Sequence, residues 1–260
     1  MDVEKYSQKT FTVTPNSTLK TSQSNASAPN DFVAGVRRER IGVLGGAFDP
    51  PHLAHLRLGE IAVEQLGLDR LIIIPTGNTP RKSHTLSIAE HRLSMARLTF
   101  KDLKQAQIDD CEILRSGTSY SFDTLNYLKN SYQNADFYLI VGADQANVFD
   151  SWYRWEEILQ LATLAVANRQ TAEQPSGLRS AEGLELNEYK WHNKALTQNI
   201  RDKQNLRLIT GQSDIVVKLS MPSMQVSATH IRRLVKAGAN ISEFVTPAVL
   251  SYIQSHSLYN

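Results

Sequence analysis

The stretch Arg40 to His55 reads RIGVLGGAFDPPHLAH. Its first part, Arg40-Ile41-Gly42-Val43-Leu44, is a short apolar run of the kind that forms a buried strand. Gly45 and Gly46 then let the backbone approach a ligand closely, Asp49-Pro50-Pro51 forces a turn, and His52 and His55 stand three residues apart where a helix should begin. Strand, glycine turn and helix start in this order predict an anion site. Orphan N–H groups, the positive end of the helix dipole and two imidazole donors converge where a phosphate could sit.

The pattern continues outward from that unit. Short β-rich runs at Ile41 to Leu44, Leu71 to Ile74, Ile108 to Leu114, Phe137 to Val141, Thr163 to Ala167 and Ile215 to Leu219 alternate with amphipathic stretches. Leu58, Ile61, Ala62 and Leu66 share one helical face, and Ala89, Leu93, Ala96, Phe100 and Leu103 share another. Ser121 is placed to cap a helix running to about Tyr132, Ser227 to cap one that ends before Gly238, and Thr246-Pro247 to open the last. Such alternation implies right-handed crossovers, so the predicted fold is α/β, a doubly wound parallel sheet of Rossmann-like type in a single domain. Ligands in these sheets bind outside the carboxyl ends of the strands, where GGAFDPPHLAH falls.

Composition bounds the rest. A chain of 260 residues, 41% hydrophobic, can bury a full core. No apolar run approaches the roughly 18 to 20 residues that span a bilayer, so no membrane partner is expected. The single cysteine, Cys111, excludes an internal disulfide and a multi-cysteine zinc site, which suits a reducing cytoplasm. A formal charge of +2 is too mild to argue for nucleic acid. Between Ser7 and Asn30, 13 of 24 positions are Ser, Thr or Asn without hydrophobic periodicity, which predicts a disordered tail over residues 1–36 ahead of a domain at 37–260. The tail has neither the apolar core of a secretory signal nor the arginines of a transit peptide, so cytoplasmic retention is the expectation. Thr171 to Leu206 is polar, carries Pro175, Gly177 and Gly183, and reads as an insertion or long loop. A homo-oligomer is left open.

Several phosphate chemistries compete for the opening motif. A dinucleotide-binding GxGxxG fails because Gly42, Gly45 and Gly46 are out of register, and a P-loop fails because no Gly-Lys pair occurs in the chain. A zinc site lacks further ligands beside His52 and His55, so no protein-held metal is expected. A second segment, Val226 to Arg233, reads VSATHIRR and also opens a helix after a strand. Ser227 and Thr229 offer hydroxyls and Arg232 a planar fork suited to phosphate oxygens. The plainer alternative is that Ser227 only caps the helix and the arginines are solvated.

Together these segments carry a resemblance. GGAFDPPHLAH looks like the GG(T/S)FDPxHxGH signature of the nucleotidyltransferase superfamily with an HxGH motif, and VSATHIRR is similar to its ISSTxIR counterpart. Ile74 to Pro80, Gly117 to Leu125, Gly142-Ala143-Asp144 and Phe149-Asp150-Ser151-Trp152 resemble segments of the bacterial nicotinate-nucleotide adenylyltransferases. These enzymes join nicotinate mononucleotide to ATP, giving deamido-NAD and pyrophosphate. The resemblance covers about Arg40 to Tyr259, apart from the loop at Thr171 to Leu206, and implies the Rossmann-like nucleotidyltransferase fold.

What it implies for the site can be carried residue by residue. His52 and His55 would contact the ATP phosphates, with His55 nearest the reacting one. Gly45, Gly46, Ala47 and Phe48 would line the ATP site, and Arg232 with Ser227 or Thr229 would hold the outgoing pyrophosphate. Gly142 and Asp144 would take the adenosine ribose, although a carboxylate there could equally cap the next helix. Trp152 would stack on the pyridine, against the plain reading of a core tryptophan, and Tyr120 and Thr118 would line that pocket. Lys82, chosen over Arg81 or His84, would hold the mononucleotide phosphate. Magnesium would arrive with ATP, held mainly by phosphates.

Three departures stand out: Ala47 where Thr or Ser is usual, Ala54 where the HxGH motif has Gly, and Arg81-Lys82-Ser83-His84 after Pro80, where the family often has Pro-His-Lys. The rival readings are another HxGH enzyme, such as a phosphopantetheine adenylyltransferase, and a nucleotide-binding regulator without catalysis.

Overall fold

The computed structural model describes residues 37–78, 86–170 and 216–260. The amino-terminal segment 1–36, the insertion at 171–206 and Lys82 with Arg81 and His84 lie outside the described residues. Within them the chain runs β1 (Glu39–Gly46), α1 (Leu53–Leu66), β2 (Arg70–Pro75), α2 (Ala89–Phe100), β3 (Ala106–Ile108), α3 (Cys111–Leu114), α4 (Ser121–Ser131), β4 (Ala135–Gly142), α5 (Ala143–Ala146), a 3-10 turn (Phe149–Ser151), α6 (Trp155–Leu161), β5 (Ala162–Gln170), β6 (Val216–Pro222), α7 (Ala228–Lys236) and α8 (Pro247–Ser255).

All six strands are parallel and lie in the order β3-β2-β1-β4-β5-β6. Both faces of the sheet are covered, so the central strands are apolar on successive residues. Ile72 and Ile74 pack on one face beside Leu125 and Leu128 of α4 and Ile158 of α6. Leu71 and Ile73 pack on the other beside Ile61 and Ala62 of α1 and Ala96 and Phe100 of α2. A third apolar cluster, including Met95, Ile231, Val245, Val249 and Ile253, joins α2, α7 and α8.

The chain reverses direction across the sheet between β1 and β4, the switch point at which ligands bind in such folds. Pairing of β1 with β4 runs from Glu39–Ala135 to Val43–Leu139, whereas β1 stays with β2 as far as Gly46–Pro75 and β4 with β5 as far as Gly142–Ala167. The sheet therefore parts at Gly45 and Gly46 on one side and Val141 and Gly142 on the other. That parting is the crevice.

Three local expectations change. The candidate strand Ile108 to Leu114 is not one strand: β3 ends at Ile108, and Cys111–Leu114 forms a helical turn after the Cys111 N–H donates to Asp109 Oδ1 at 2.8 Å. Ser121 is the first helical residue of α4 and Tyr120 its N-cap, with no side-chain cap. The buried side of α2 is Arg92, Met95, Ala96, Thr99 and Phe100, while Leu93 is half-buried and Leu103 lies beyond the helix. The face turns because the Arg92 guanidinium finds three carbonyl acceptors inside the protein. Ser227 and Thr246 cap α7 and α8 as expected, accepting from the N–H groups of His230 at 3.2 Å and Val249 at 3.4 Å.

Candidate active site

The loop between β1 and α1 is built around Phe48. Its φ of 50° is left-handed, a conformation that costs a bulky residue about 1 to 3 kcal/mol. The loop accepts this because the ring is buried, edge-on to Phe100 at 6.0 Å and to the His55 imidazole at 5.1 Å. Gly46 makes the turn feasible: a Cβ there would lie 2.9 Å from the Phe48 ring. Gly45 is exposed, and nothing stands within 4 Å of where its Cβ would be, so this is the glycine over which a ligand can lie. The two glycines thus stand in different surroundings, and the Phe48 ring lies buried beneath the loop.

His52 and His55 are stacked, with centroids 3.8 Å apart and planes at 21°. The His52 N–H donates to His55 Nδ1 at 3.2 Å, which places the proton of a neutral His55 ring on Nε2. His52 is buried, and loss of solvation lowers its pKa to about 4, so this imidazole is neutral near pH 7. The first turn of α1 is less open than the sequence reading assumed. The Leu53 N–H already donates to Phe244 O at 2.8 Å and the His55 N–H to His52 O at 2.9 Å. Those two amides are therefore engaged within the protein.

Burial of His52 has a consequence for stability. The folded protein resists a proton that the unfolded chain accepts below pH 6.5, so stability is intact above that pH and falls as pH drops from 6.5 towards 4. The loss amounts to about 3 kcal/mol once both pKa values are passed. Denaturant unfolding at pH 7, 5.5 and 4.5 should show this slope in the wild type and a shallower one in His52→Gln. Parallel slopes would remove His52 as the titrating group.

Arg232 joins the two distant motifs. Its Nη1 donates to Asp49 O at 2.6 Å and its Nη2 to Thr229 Oγ1 at 3.2 Å. Ser227 and Thr229 are exposed beside it; the Ser227 oxygen serves as the α7 cap, which leaves its O–H free to donate. The cap uses the oxygen as an acceptor and not the O–H that a phosphate would need. Asp49 itself is 2% exposed, with Oδ1 accepting from Tyr259 Oη at 2.7 Å and Oδ2 from the Ser87 N–H at 3.1 Å. Arg92 reaches Ala47 O at 3.0 Å and Thr76 O at 2.7 Å through Nη1, and Ser87 O at 3.0 Å through Nε. It ties the loops at the ends of β1 and β2 together. Burial lowers its pKa, and the Asp49 charge opposes that shift.

The sequence reading passed over Arg92 and Tyr259. Arg92 leaves a detectable trace, a cation in helical phase with Met95, Ala96 and Thr99. Tyr259, one residue from the chain end, has no local signature.

On the other side of the crevice, Gly142 is the N-cap of α5 without a side-chain cap, so Asp144 is not the capping carboxylate of the plain reading. The Asp144 side chain is exposed, and its Oδ1 lies 2.7 Å from where a Cβ on Gly142 would stand. Trp152 is half-buried, packed on Phe149 at 5.3 Å along the edge of the core. Tyr120 is half-buried with its ring 4.5 Å from that of Tyr153, and Thr118 is exposed, bridged to Asn78 beyond β2. Gly77 in that loop admits no side chain, since a Cβ would come within 1.9 Å of Glu112 O. Burial pushes the Cys111 thiol up to about 12, which makes it a poor nucleophile. Among the described residues no three His, Cys, Asp or Glu side chains stand together as a metal site, and no helix is long and apolar enough to cross a membrane.

Residues 43–234 match the cytidylyltransferase-like family. A protein of Albidiferax ferrireducens named "Probable nicotinate-nucleotide adenylyltransferase" is 40% identical over 221 residues, 85% of this chain and 98% of its own length. One of the same name from Listeria monocytogenes serotype 4a is 30% identical over 223 residues, covering 85% and 98%. The chain belongs to the nicotinate-nucleotide adenylyltransferase family. Among solved structures, the nicotinic acid mononucleotide adenylyltransferase of Plasmodium falciparum complexed with NaAD superposes with a TM-score of 0.62 at 16% identity, covering 85% of this chain and 97% of that one. The same protein complexed with APC gives 0.60, also at 16% identity and over the same shares of the two chains. At that identity the likeness extends to the fold, and the parallel sheet with helices on both faces agrees with it.

Proposed function

We propose that this protein transfers the adenylyl group of ATP to nicotinate mononucleotide, releasing nicotinate adenine dinucleotide and pyrophosphate. The observation that carries the reading is the 2.6 Å hydrogen bond from Arg232 to Asp49 O, which sets the VSATHIRR helix start against the GGAFDPPHLAH loop at the mouth of the crevice. Two groups of phosphate donors, far apart in sequence, thereby face one place.

The nucleophile is a phosphate oxygen of the mononucleotide, already ionised near neutral pH. It attacks the α-phosphorus of ATP in line with the departing pyrophosphate, and no general base is needed. Catalysis then rests on orientation and on donors aimed at the charge that develops. A neutral His52 and the Nε2–H of His55 suit that task at the reacting phosphate, with Arg232 and the Ser227 and Thr229 hydroxyls on the pyrophosphate side. Magnesium enters as MgATP, its ligands mainly phosphate oxygens and water. Asp144 has the exposure needed to accept two ribose hydroxyls, and Trp152, Tyr120 and Thr118 supply the pyridine side. Lys82 is assigned to the mononucleotide phosphate. Such a reaction belongs to NAD biosynthesis in the cytoplasm.

The test is a paired assay. With MgATP the protein should release pyrophosphate on nicotinate mononucleotide and at least tenfold less efficiently on nicotinamide mononucleotide, a difference of about 1.4 kcal/mol in transition-state binding. Equal or better use of the amide would overturn the acid specificity. No turnover with either would favour the non-catalytic regulator.

A further inference from the structure

We infer that Tyr259 is a positioning residue for adenylyl transfer, acting through Asp49 on the phosphate-binding loop and on Arg232. The inference rests on the function proposed above and adds to it a role for the end of the chain.

Asp49 is a hub whose two ends serve different partners. Its carboxylate is held by Tyr259 Oη at 2.7 Å and the Ser87 N–H at 3.1 Å, and its main-chain carbonyl receives Arg232 Nη1 at 2.6 Å. A carboxylate this buried needs both donors, because a lone pair left unmet away from water carries the full cost of desolvation. The O–H to carboxylate bond is charge-assisted and stronger than a neutral one. Tyr259 is also held in place for the task. Its φ of 68° is left-handed, uncommon for a non-glycine residue, and burial followed by the Asp49 charge raises the phenol's pKa, so it stays a donor. The chain end thus turns back onto the loop that leads into His52 and the first turn of α1. Setting the Asp49 backbone sets where Arg232 points, and a displacement of about 1 Å at a reacting group can cost 10²-fold in rate.

The experiment compares wild type with Tyr259→Phe, which keeps the ring and removes the donor. Pyrophosphate release is measured per folded enzyme against both substrates, and binding of inorganic pyrophosphate with magnesium is measured by calorimetry. Tyr259→Phe should lower kcat about tenfold and raise KM for MgATP, leave KM for nicotinate mononucleotide within twofold, and weaken pyrophosphate binding several-fold. Wild-type kcat, KM and pyrophosphate affinity in Tyr259→Phe, even with a lower Tm, would overturn the inference and leave Tyr259 a structural residue. Asp49→Asn, which keeps the shape but offers one acceptor oxygen where Tyr259 Oη and the Ser87 N–H now meet two, supplies a second comparison should Tyr259→Phe not fold. Absence of wild-type turnover would instead overturn the proposed function, and the pyrophosphate affinities would still decide on Tyr259.

Discussion

Arg232→Ala is expected to lower kcat/KM for MgATP by about 10³-fold, the scale on which removal of a guanidinium from developing phosphate charge is felt. The side chain acts in two ways. In the proposed reaction it would bring its charge to the outgoing pyrophosphate, and through Nη1 on Asp49 O and Nη2 on Thr229 Oγ1 it links the α7 helix start to the loop before α1. Alanine removes both, so folding stability should fall as well, by about 1 to 3 kcal/mol for the hydrogen bonds to a charged group. Arg232→Lys separates the effects. Lysine restores the charge as a point and cannot span both acceptors with a planar fork, so activity should remain at least tenfold below wild type. A loss below tenfold in Arg232→Ala, measured by pyrophosphate release from folded protein, would take Arg232 out of the reaction.

His55→Ala should lower kcat by about 10²-fold or more, as expected for one donor to a transition-state oxyanion. The ring is oriented before any substrate arrives: Nδ1 accepts from the His52 N–H at 3.2 Å, one face lies against His52 at 3.8 Å, and Phe48 meets it edge-on at 5.1 Å. In the proposed reaction Nε2–H would be the donor, with little reorganisation to come. The same contacts also stabilise the start of α1, so alanine is not a clean probe by itself. His55→Asn is the control. Its amide oxygen can still accept from the His52 N–H, keeping the capping contact, but the side chain is too short to reach where Nε2 stood. Stability near wild type with a kcat still about 10²-fold down would assign the loss to the missing donor. An effect on kcat below tenfold in both variants would dismiss His55 from the role.

Much of this site was legible because its parts are local in the chain. Gly45, Gly46, the Asp49-Pro50-Pro51 turn, the two histidines and the Ser227 cap each follow from residue types at short spacing, and each lies where the strand-to-helix grammar predicted. The strands were legible because a sheet covered on both faces demands unbroken apolar runs, as in Leu71 to Ile74. Where the reading failed, the cause was local in one place and tertiary in another. Ile108 to Leu114 carries Asp109, Asp110 and Glu112, and the bond from the Cys111 N–H to Asp109 turns the chain after Ile108. The face of α2 rotates to bury a cation, because three carbonyls on two other loops meet Arg92 there.

Local pattern thus determined the fold class, the place of the crevice at the carboxyl ends of β1 and β4, and the strand-to-helix setting of both motifs. Periodicity and turn chemistry act over a few residues and so are written in the order of the chain. The grip between the motifs was decided only in three dimensions. Arg232 meets Asp49 across 183 positions and Tyr259 meets it across 210, and no pattern within either segment encodes the other. The physical reason is burial. Asp49 can be kept from water only where donors from Ser87 ahead of α2, from α7 and from the chain end arrive together, and that meeting exists once the sheet and its third apolar cluster have formed.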